Sequence, residues 1–453
     1  MSNKSRPYLF YGHTQSLCEA CLAVVPAKVI FQHGNVYYQK RCPQHGVQKT
    51  LVSTDIAYFK RCKEYLKPGD MPQRFQTEVR QGCPHDCGLC PDHEQHSCLA
   101  LFDIIDECNM RCPVCFAASG PNAGNPRSLQ DIETMLQTLL ASEAQPDLVQ
   151  VSGGEPTLHP QLLPILRRLK DSPIRHLMLN TNGIRIARDP QLVQDLASLK
   201  PGFEVYLQFD SLRAAALRDI RGQDMRNVHR QALENLERHN LSTTLVCVVR
   251  KGVNDDEIGD IIDYAQQWRC VRGVTFQPVQ DAGRNDGAVP AQRMTLSEIR
   301  SRVIAAPNPF GEADIIPLPC HPENIAIGYA MRIDGTILPV TGLLPREELL
   351  KGVDNTISFE KNTTLRDAFY RLFSLDACAE TSVDNLQTML CCLPRIENRG
   401  LTYENVFRIV IMKFMDRYDF DLGSVKRSCT HFVEPDGRIY PFDTWNLFYR
   451  ARR

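Results

Sequence analysis

Between residues 99 and 279, six short apolar runs alternate with longer amphipathic stretches, and this alternation restricts the fold more than any other feature of the chain. The runs are LALFDII (99–105), DLVQVS (147–152), HLMLN (176–180), EVYLQFD (204–210), TLVCVV (244–249) and VTFQPV (274–279). Short apolar runs of this kind read as strands. The segments between them include SLQDIETMLQTLLAS, HPQLLPILRRLKDS and NDDEIGDIIDYAQQW, which carry apolar residues near helical spacing. Ser128, Asp189 and Asn254 stand where helix N-caps belong. Strand–helix alternation predicts parallel βα units. Six units fall short of the eight of a closed barrel, so the expected fold is α/β, a partial (β/α)6 barrel over residues 99–290.

Texture changes on either side of this region. Residues 1–98 are cysteine-rich, with strand-like pieces KVIFQ and VYYQK, and predict a metal-binding domain. Residues 291–453 mix a proline-rich crossing (IIPLPCHPEN), strands (IAIGYAMRIDGTILPV) and helices (TTLRDAFYRLF, TYENVFRIVIMKFMDRY), and predict a C-terminal α+β domain. Asp436-Gly437 marks a turn near the end. A chain of 453 residues accommodates these three domains, and 43% hydrophobic with 23% charged residues suits a globular core. With 52 basic and 53 acidic residues there is no basic surplus to suggest nucleic-acid binding. The N-terminus lacks the apolar stretch of a secretory signal, and no run approaches the length of a membrane-spanning helix. The expected location is the cytoplasm, with peripheral membrane contact still open.

The chain holds 18 cysteines, which in a long protein without a secretory signal read as metal ligands rather than disulfides where they cluster. Cys247 and Cys270 are isolated and read as buried structural thiols. The most informative cluster is ECNMRCPVCF, a CxxxCxxC formed by Cys108, Cys112 and Cys115 directly after the first apolar run. That position is the loop at the C-terminal end of the first strand, the face where βα barrels keep their active sites. Three thiolates on one loop hold three irons of a cubane and leave the fourth open to a ligand. A structural zinc would need a fourth close ligand, and none follows locally.

Two groups lie upstream. Cys18 and Cys21 (CEAC) with Cys42 and His45 (CPQH) have the spacing of a zinc-ribbon or rubredoxin-like knuckle, with Cys62 as an alternative to His45. Zinc and mononuclear iron fit this site equally. Cys83, Cys87 and Cys90 repeat the CxxxCxxC spacing, and Cys98 offers a fourth thiolate for a closed auxiliary cluster. His93 or His96 could ligate in place of Cys98. Among the C-terminal cysteines 320, 378, 391, 392 and 429, Cys320 and Cys429 are the first choices for a third cluster.

VSGGEPTLHP ends the second apolar run, where Gly153 and Gly154 permit close backbone approach and Glu155 adds an acceptor. Polar residues end later strands: Asn182, Gln208 and Asp210, and Gln277. With CxxxCxxC, this GGEP segment resembles the radical S-adenosylmethionine (SAM) superfamily. That resemblance implies Cys108, Cys112 and Cys115 as ligands of the catalytic [4Fe–4S] cluster. It implies Gly153, Gly154, Glu155 and Pro156 as the cradle of the SAM amino group, with Asn182, Asp210 and Gln277 near the cofactor. It also implies reductive SAM cleavage to a 5′-deoxyadenosyl radical, supplied with electrons by a flavodoxin- or ferredoxin-like donor.

The CxxC with CPQHG, the GCPHDCGLC segment and the PDGRIYPF tail narrow the likeness. They resemble the branch that includes tetraether lipid synthase and the radical SAM methylases acting on a methanopterin precursor. That branch implies two or three [4Fe–4S] clusters, one mononuclear Zn or Fe, and methylation or C–C bond formation at an unactivated carbon of a lipid- or pterin-like substrate. A peptide maturase is the second enzymatic reading, and a non-catalytic metal-binding protein the alternative outside enzymology.

Overall fold

The computed structural model describes residues 6–450 except 68, 125, 288, 334, 344–345, 347–349 and 351–402. Four antiparallel strands come first: β1 (Leu9–Leu17), β2 (Val24–Gln32), β3 (Asn35–Cys42) and β4 (Gly46–Ser53), in that order, followed by helix α1 (Ile56–Glu64). The six apolar runs then form six parallel strands: β5 (Leu99–Asp103), β7 (Leu148–Ser152), β8 (His176–Thr181), β9 (Phe203–Gln208), β10 (Thr243–Val249) and β11 (Val271–Pro278). A two-residue strand β6 (Val114–Cys115) in the cysteine loop pairs with β12 (Arg284–Asn285). Helices α2 (Leu129–Ser142), α3 (Leu162–Lys170), α4 (Ile184–Arg188), α5 (Pro190–Ala197), α6 (Ala214–Arg221), α7 (Arg226–Arg238) and α8 (Ile258–Gln266) lie between the strands, and α9 (Leu296–Ala305) follows.

Local signals explain these elements. β5 and β7 are buried at every residue, as strands covered on both faces must be. α2 opens on a capping box in which the Ser128 hydroxyl accepts from the Asp131 N–H and the Asp131 carboxylate accepts from the Ser128 N–H. Its Ile132, Met135, Leu136 and Leu139 share the buried stripe. Asp189 caps α5 as expected. Asn254 does not cap α8, whose N-cap is Glu257. Instead its amide donates to the carbonyls of Asp210 and Val248, tying two strand ends together.

The C-terminal region departs from the expected separate domain. VFRIVIM, expected within a helix, is strand β16 (Val406–Met412). It runs parallel to β11 and antiparallel to β14 (Ile325–Ile333), which also pairs with β13 (Ile316–Pro317) and β15 (Thr336–Pro339). A β-branched run flanked by partners on both sides satisfies its backbone in a sheet, and six of its seven residues are buried there. On the opposite edge β17 (Thr430–Val433) lies parallel to β5 and forms a hairpin with β18 (Ile439–Pro441). The predicted turn holds, with Gly437 at φ 80°. The result is one twelve-stranded sheet whose described order runs from β13 to β18 without closing. TTLRDAFYRLF and Cys378, Cys391 and Cys392 lie outside the described residues. No described helix is long and apolar enough to cross a membrane.

A buried ion pair welds β16 to the barrel. Glu204 of β9 is fully buried and accepts from Arg408 at 2.8 Å, from Thr244 and from Tyr403, with His176 at 3.2 Å. Burial alone would raise this carboxyl, but Arg408 and His176 outweigh it and hold it well below the usual range. Glu204→Ala should therefore cost about 3 to 5 kcal/mol, because it strands the Arg408 charge. A depressed carboxyl stabilises the fold above its unfolded value and loses that contribution as pH falls through the folded one. The wild type should thus lose stability from about pH 5 downward. Denaturant melts across pH test this: the acid-side slope should shrink in Glu204→Gln, and an unchanged slope would remove Glu204 from the account.

Candidate functional site

The loop after β5 carries Cys108, Cys112 and Cys115, the first two buried and the third half-buried. The Met110 N–H points at Cys108 Sγ at 3.4 Å. Burial pushes Cys108 up to about 12 and raises Cys112, which the Arg221 guanidinium beside it counteracts. Thiolates here need a positive partner, and an iron–sulfur cluster supplies one. Arg284 fixes the loop backbone by donating to the carbonyls of Cys112 (2.5 Å) and Ser119 (2.7 Å).

The GGEP turn packs onto this loop. Gly154 N–H donates to the Ile105 carbonyl at 2.7 Å and Glu155 N–H to the Glu107 carbonyl at 2.9 Å. A Cβ on Gly153 or Gly154 would overlap the carbonyl of Ile105 or Glu107, and Gly153 also has φ 136°. Both glycines therefore serve close approach to the cysteine loop itself. Glu155 is buried and engaged by the protein. It accepts from the Thr157 N–H and hydroxyl, the Thr181 hydroxyl at 2.7 Å and the Asn182 N–H at 2.8 Å. Pro156 begins a short 3₁₀ turn, and Asn182 donates to the Asn109 side chain at 2.7 Å.

Polar side chains join the C-terminal strand ends into a ladder. Asn180 donates to Ser152, Gln208 to Asn180 at 2.7 Å, and Arg221 to Gln208 at 2.7 Å and to Asp210. Asp210 sits at φ 63°, fully buried, and accepts from the Val248 N–H at 2.9 Å. Gln277, near the end of β11, stands opposite Val248 in the register. Arg221 links Asp210 to the Cys112 thiol, a role that no local sequence signal announces.

At the N-terminus Cys18, Cys21, Cys42 and His45 place their donor atoms within 4.8 Å of one another. Cys21 and Cys42 sulfurs are 3.9 Å apart, and His45 Nδ1 is 3.5 Å from both Cys18 and Cys42. Cys62 is not the fourth ligand: it lies on α1, buried beside Tyr58 in another cluster. Cys83, Cys87 and Cys90 line one small cavity. Cys98 does not join them, because its sulfur is grouped within 4.8 Å of Cys320 and Cys429 instead. His93 is buried, its Nε2 2.8 Å from the Ser428 carbonyl, whereas His96 Nε2 lies 3.5 Å from Cys98 Sγ.

Residues 102–265 match the Radical SAM superfamily. The central domain is a radical SAM domain. Such a domain binds SAM and a [4Fe–4S] cluster, and the thiol set on the β5 loop suits that group. Residues 10–54 match the HMPTM N-terminal zinc ribbon domain, in accord with the four donors gathered there. Over 478 aligned residues the chain is 29% identical to 7,8-dihydro-6-hydroxymethylpterin dimethyltransferase of Methanocaldococcus jannaschii, covering 96% of this chain and 94% of that one. It is 28% identical to GTP 3′,8-cyclase of Syntrophomonas wolfei over 208 residues, 44% of this chain and 62% of the cyclase. The solved radical SAM methyltransferase from Sphaerobacter thermophilus is 12% identical, with TM-score 0.33 over 65% of this chain and 73% of that one.

A metal-closed ribbon is coupled to its own folding, since the small sheet has little core. Cys18→Ala should lower thermal stability and soluble yield while SAM cleavage per intact cluster stays within about twofold. A stable but inactive Cys18→Ala protein would place the ribbon in the reaction.

Proposed function

We propose that this radical SAM enzyme methylates a carbon of a small pterin-class substrate. The observation that carries the reading is the end-to-end similarity to the pterin dimethyltransferase, which spans ribbon, barrel and tail together. Cys108, Cys112 and Cys115 hold the SAM-binding cluster, supported by their shared place on one loop at the C-terminal end of β5. Bound there, the cluster supplies one electron to the SAM sulfonium.

The chain's own residues provide position and polarity. Gly153 and Gly154 bring the GGEP turn against the cysteine loop, and Pro156 begins the turn's exit. Glu155 locks that turn to Asn182, so both elements present fixed groups toward the cofactor side. Asp210 and Arg221 place a paired charge beside Cys112, while Gln277 lies near the C-terminal end of β11. Cys83, Cys87 and Cys90 form the auxiliary cluster site, and a flavodoxin- or ferredoxin-like donor reduces the protein.

The test uses full-length anaerobic protein with SAM, dithionite and 7,8-dihydro-6-hydroxymethylpterin. Mass spectrometry should find the pterin gaining one or two methyl groups. Sustained 5′-deoxyadenosine formation with an unaltered pterin would sink the pterin reading and leave the radical SAM chemistry intact. Lipid extract in a parallel reaction distinguishes the lipid alternative.

A further inference from the structure

Cys98, Cys320 and Cys429 come from three distant segments, yet their sulfurs lie within 4.8 Å of one another, all fully or almost fully buried. Cys320 and Cys429 sulfurs are 3.6 Å apart, and none of the three forms a disulfide. His96 brings Nε2 to 3.5 Å from Cys98 Sγ, while its Nδ1 stands 3.1 Å from a Glu143 carboxylate oxygen. His96 itself stands outside the three-sulfur group.

Distance separates the possible occupants. Around one tetrahedral ion with metal–sulfur bonds near 2.3 Å, neighbouring sulfurs stand about 3.8 Å apart. Around a cubane each thiolate points outward from its own iron, which spreads the sulfurs to about 6 Å. The ribbon at Cys18, with edges of 3.5 and 3.9 Å, shows the first pattern. The buried site, with the Cys320 and Cys429 sulfurs 3.6 Å apart and Cys98 within 4.8 Å of both, shows the same one. Cys108, Cys112 and Cys115 are not drawn into such a group, nor are Cys83, Cys87 and Cys90. We propose that Cys98, Cys320 and Cys429 together hold a single ion of the zinc type, not a third iron–sulfur cluster.

The location gives the ion a task. Cys98 and Cys429 immediately precede β5 and β17, and the Leu99 N–H donates to the Cys429 carbonyl at 3.0 Å. Cys320 lies between β13 and β14, at the other end of the strand order. The ion therefore joins the two sides of a sheet that hydrogen bonds leave open. It also sits at the opposite end of β5 from the Cys108 loop, which makes it structural.

The test counts metal and acid-labile sulfide on anaerobic full-length protein and on Cys320→Ser/Cys429→Ser. The double variant should lose one metal equivalent and no sulfide. Loss of a whole cubane's iron and sulfide would overturn the proposal. Where the double variant fails to accumulate, the wild type decides. Sulfide equal to two cubanes or fewer, with a sulfur-rich mononuclear signal at both sites by X-ray absorption, supports the proposal, and sulfide equal to three cubanes overturns it. Full metal retention in Cys98→Ser would overturn the ligand set. None of these counts requires the pterin reading to be correct.

Discussion

Replacing Cys108, Cys112 and Cys115 together by Ala is expected to remove one cubane's iron and sulfide and to abolish reductive SAM cleavage. The loss should exceed about a thousandfold, because no other group in the loop can deliver the electron. The three side chains are buried or half-buried beside Met110, Leu217 and Met225, so Ala leaves a cavity and some instability as well. The spectroscopic arm removes that ambiguity. In the Cys83→Ala/Cys87→Ala/Cys90→Ala protein, the remaining cluster signal should still shift when SAM is added. Retained 5′-deoxyadenosine production by the first variant, or loss of the SAM shift in the second, would reverse the assignment of the two clusters.

Gly154→Ala should be nearly as damaging although it adds one carbon to a residue with no chemistry. The new Cβ would collide with the Asp106 and Glu107 carbonyls, which are backbone atoms two residues or less from Cys108. Relief requires the cysteine loop to move away from the turn, breaking the hydrogen bond from Gly154 to Ile105. A cost of about 1 to 3 kcal/mol is expected from overpacking, with cluster iron reduced at least severalfold. Gly12→Ala is the control, since nothing lies within 4 Å of its added carbon and that glycine has no left-handed backbone. Equal cluster content in both variants would show that the turn does not position the loop.

The barrel strands were legible because parallel strands buried on both faces are written as continuous apolar runs, as in LALFD and LVQVS. VFRIVIM is just as apolar, but its run offered no alternation to separate strand from buried helix, and only its partners β11 and β14 decide. The grouping of Cys18, Cys21, Cys42 and His45 could be read from spacing because they sit at the turns of one short antiparallel sheet. Cys98 was misassigned for the converse reason. Its nearest cysteine in sequence is Cys90, whereas its spatial partners, Cys320 and Cys429, are themselves 109 residues apart. Arg221 and Arg284 were invisible too, since a guanidinium's role depends on what the folded chain brings beside it.

The final strands return to both margins of the sheet, β16 beside β11 and β17 beside β5. The radical SAM segment is thus hemmed by its own tail and is not an excisable module. A fragment ending after residue 290 would expose unpaired backbone along two margins at once, each a template for another chain. Trimming the tail to isolate the catalytic core should yield aggregates, and supplying residues 403–450 as a separate peptide should restore solubility by filling both margins together.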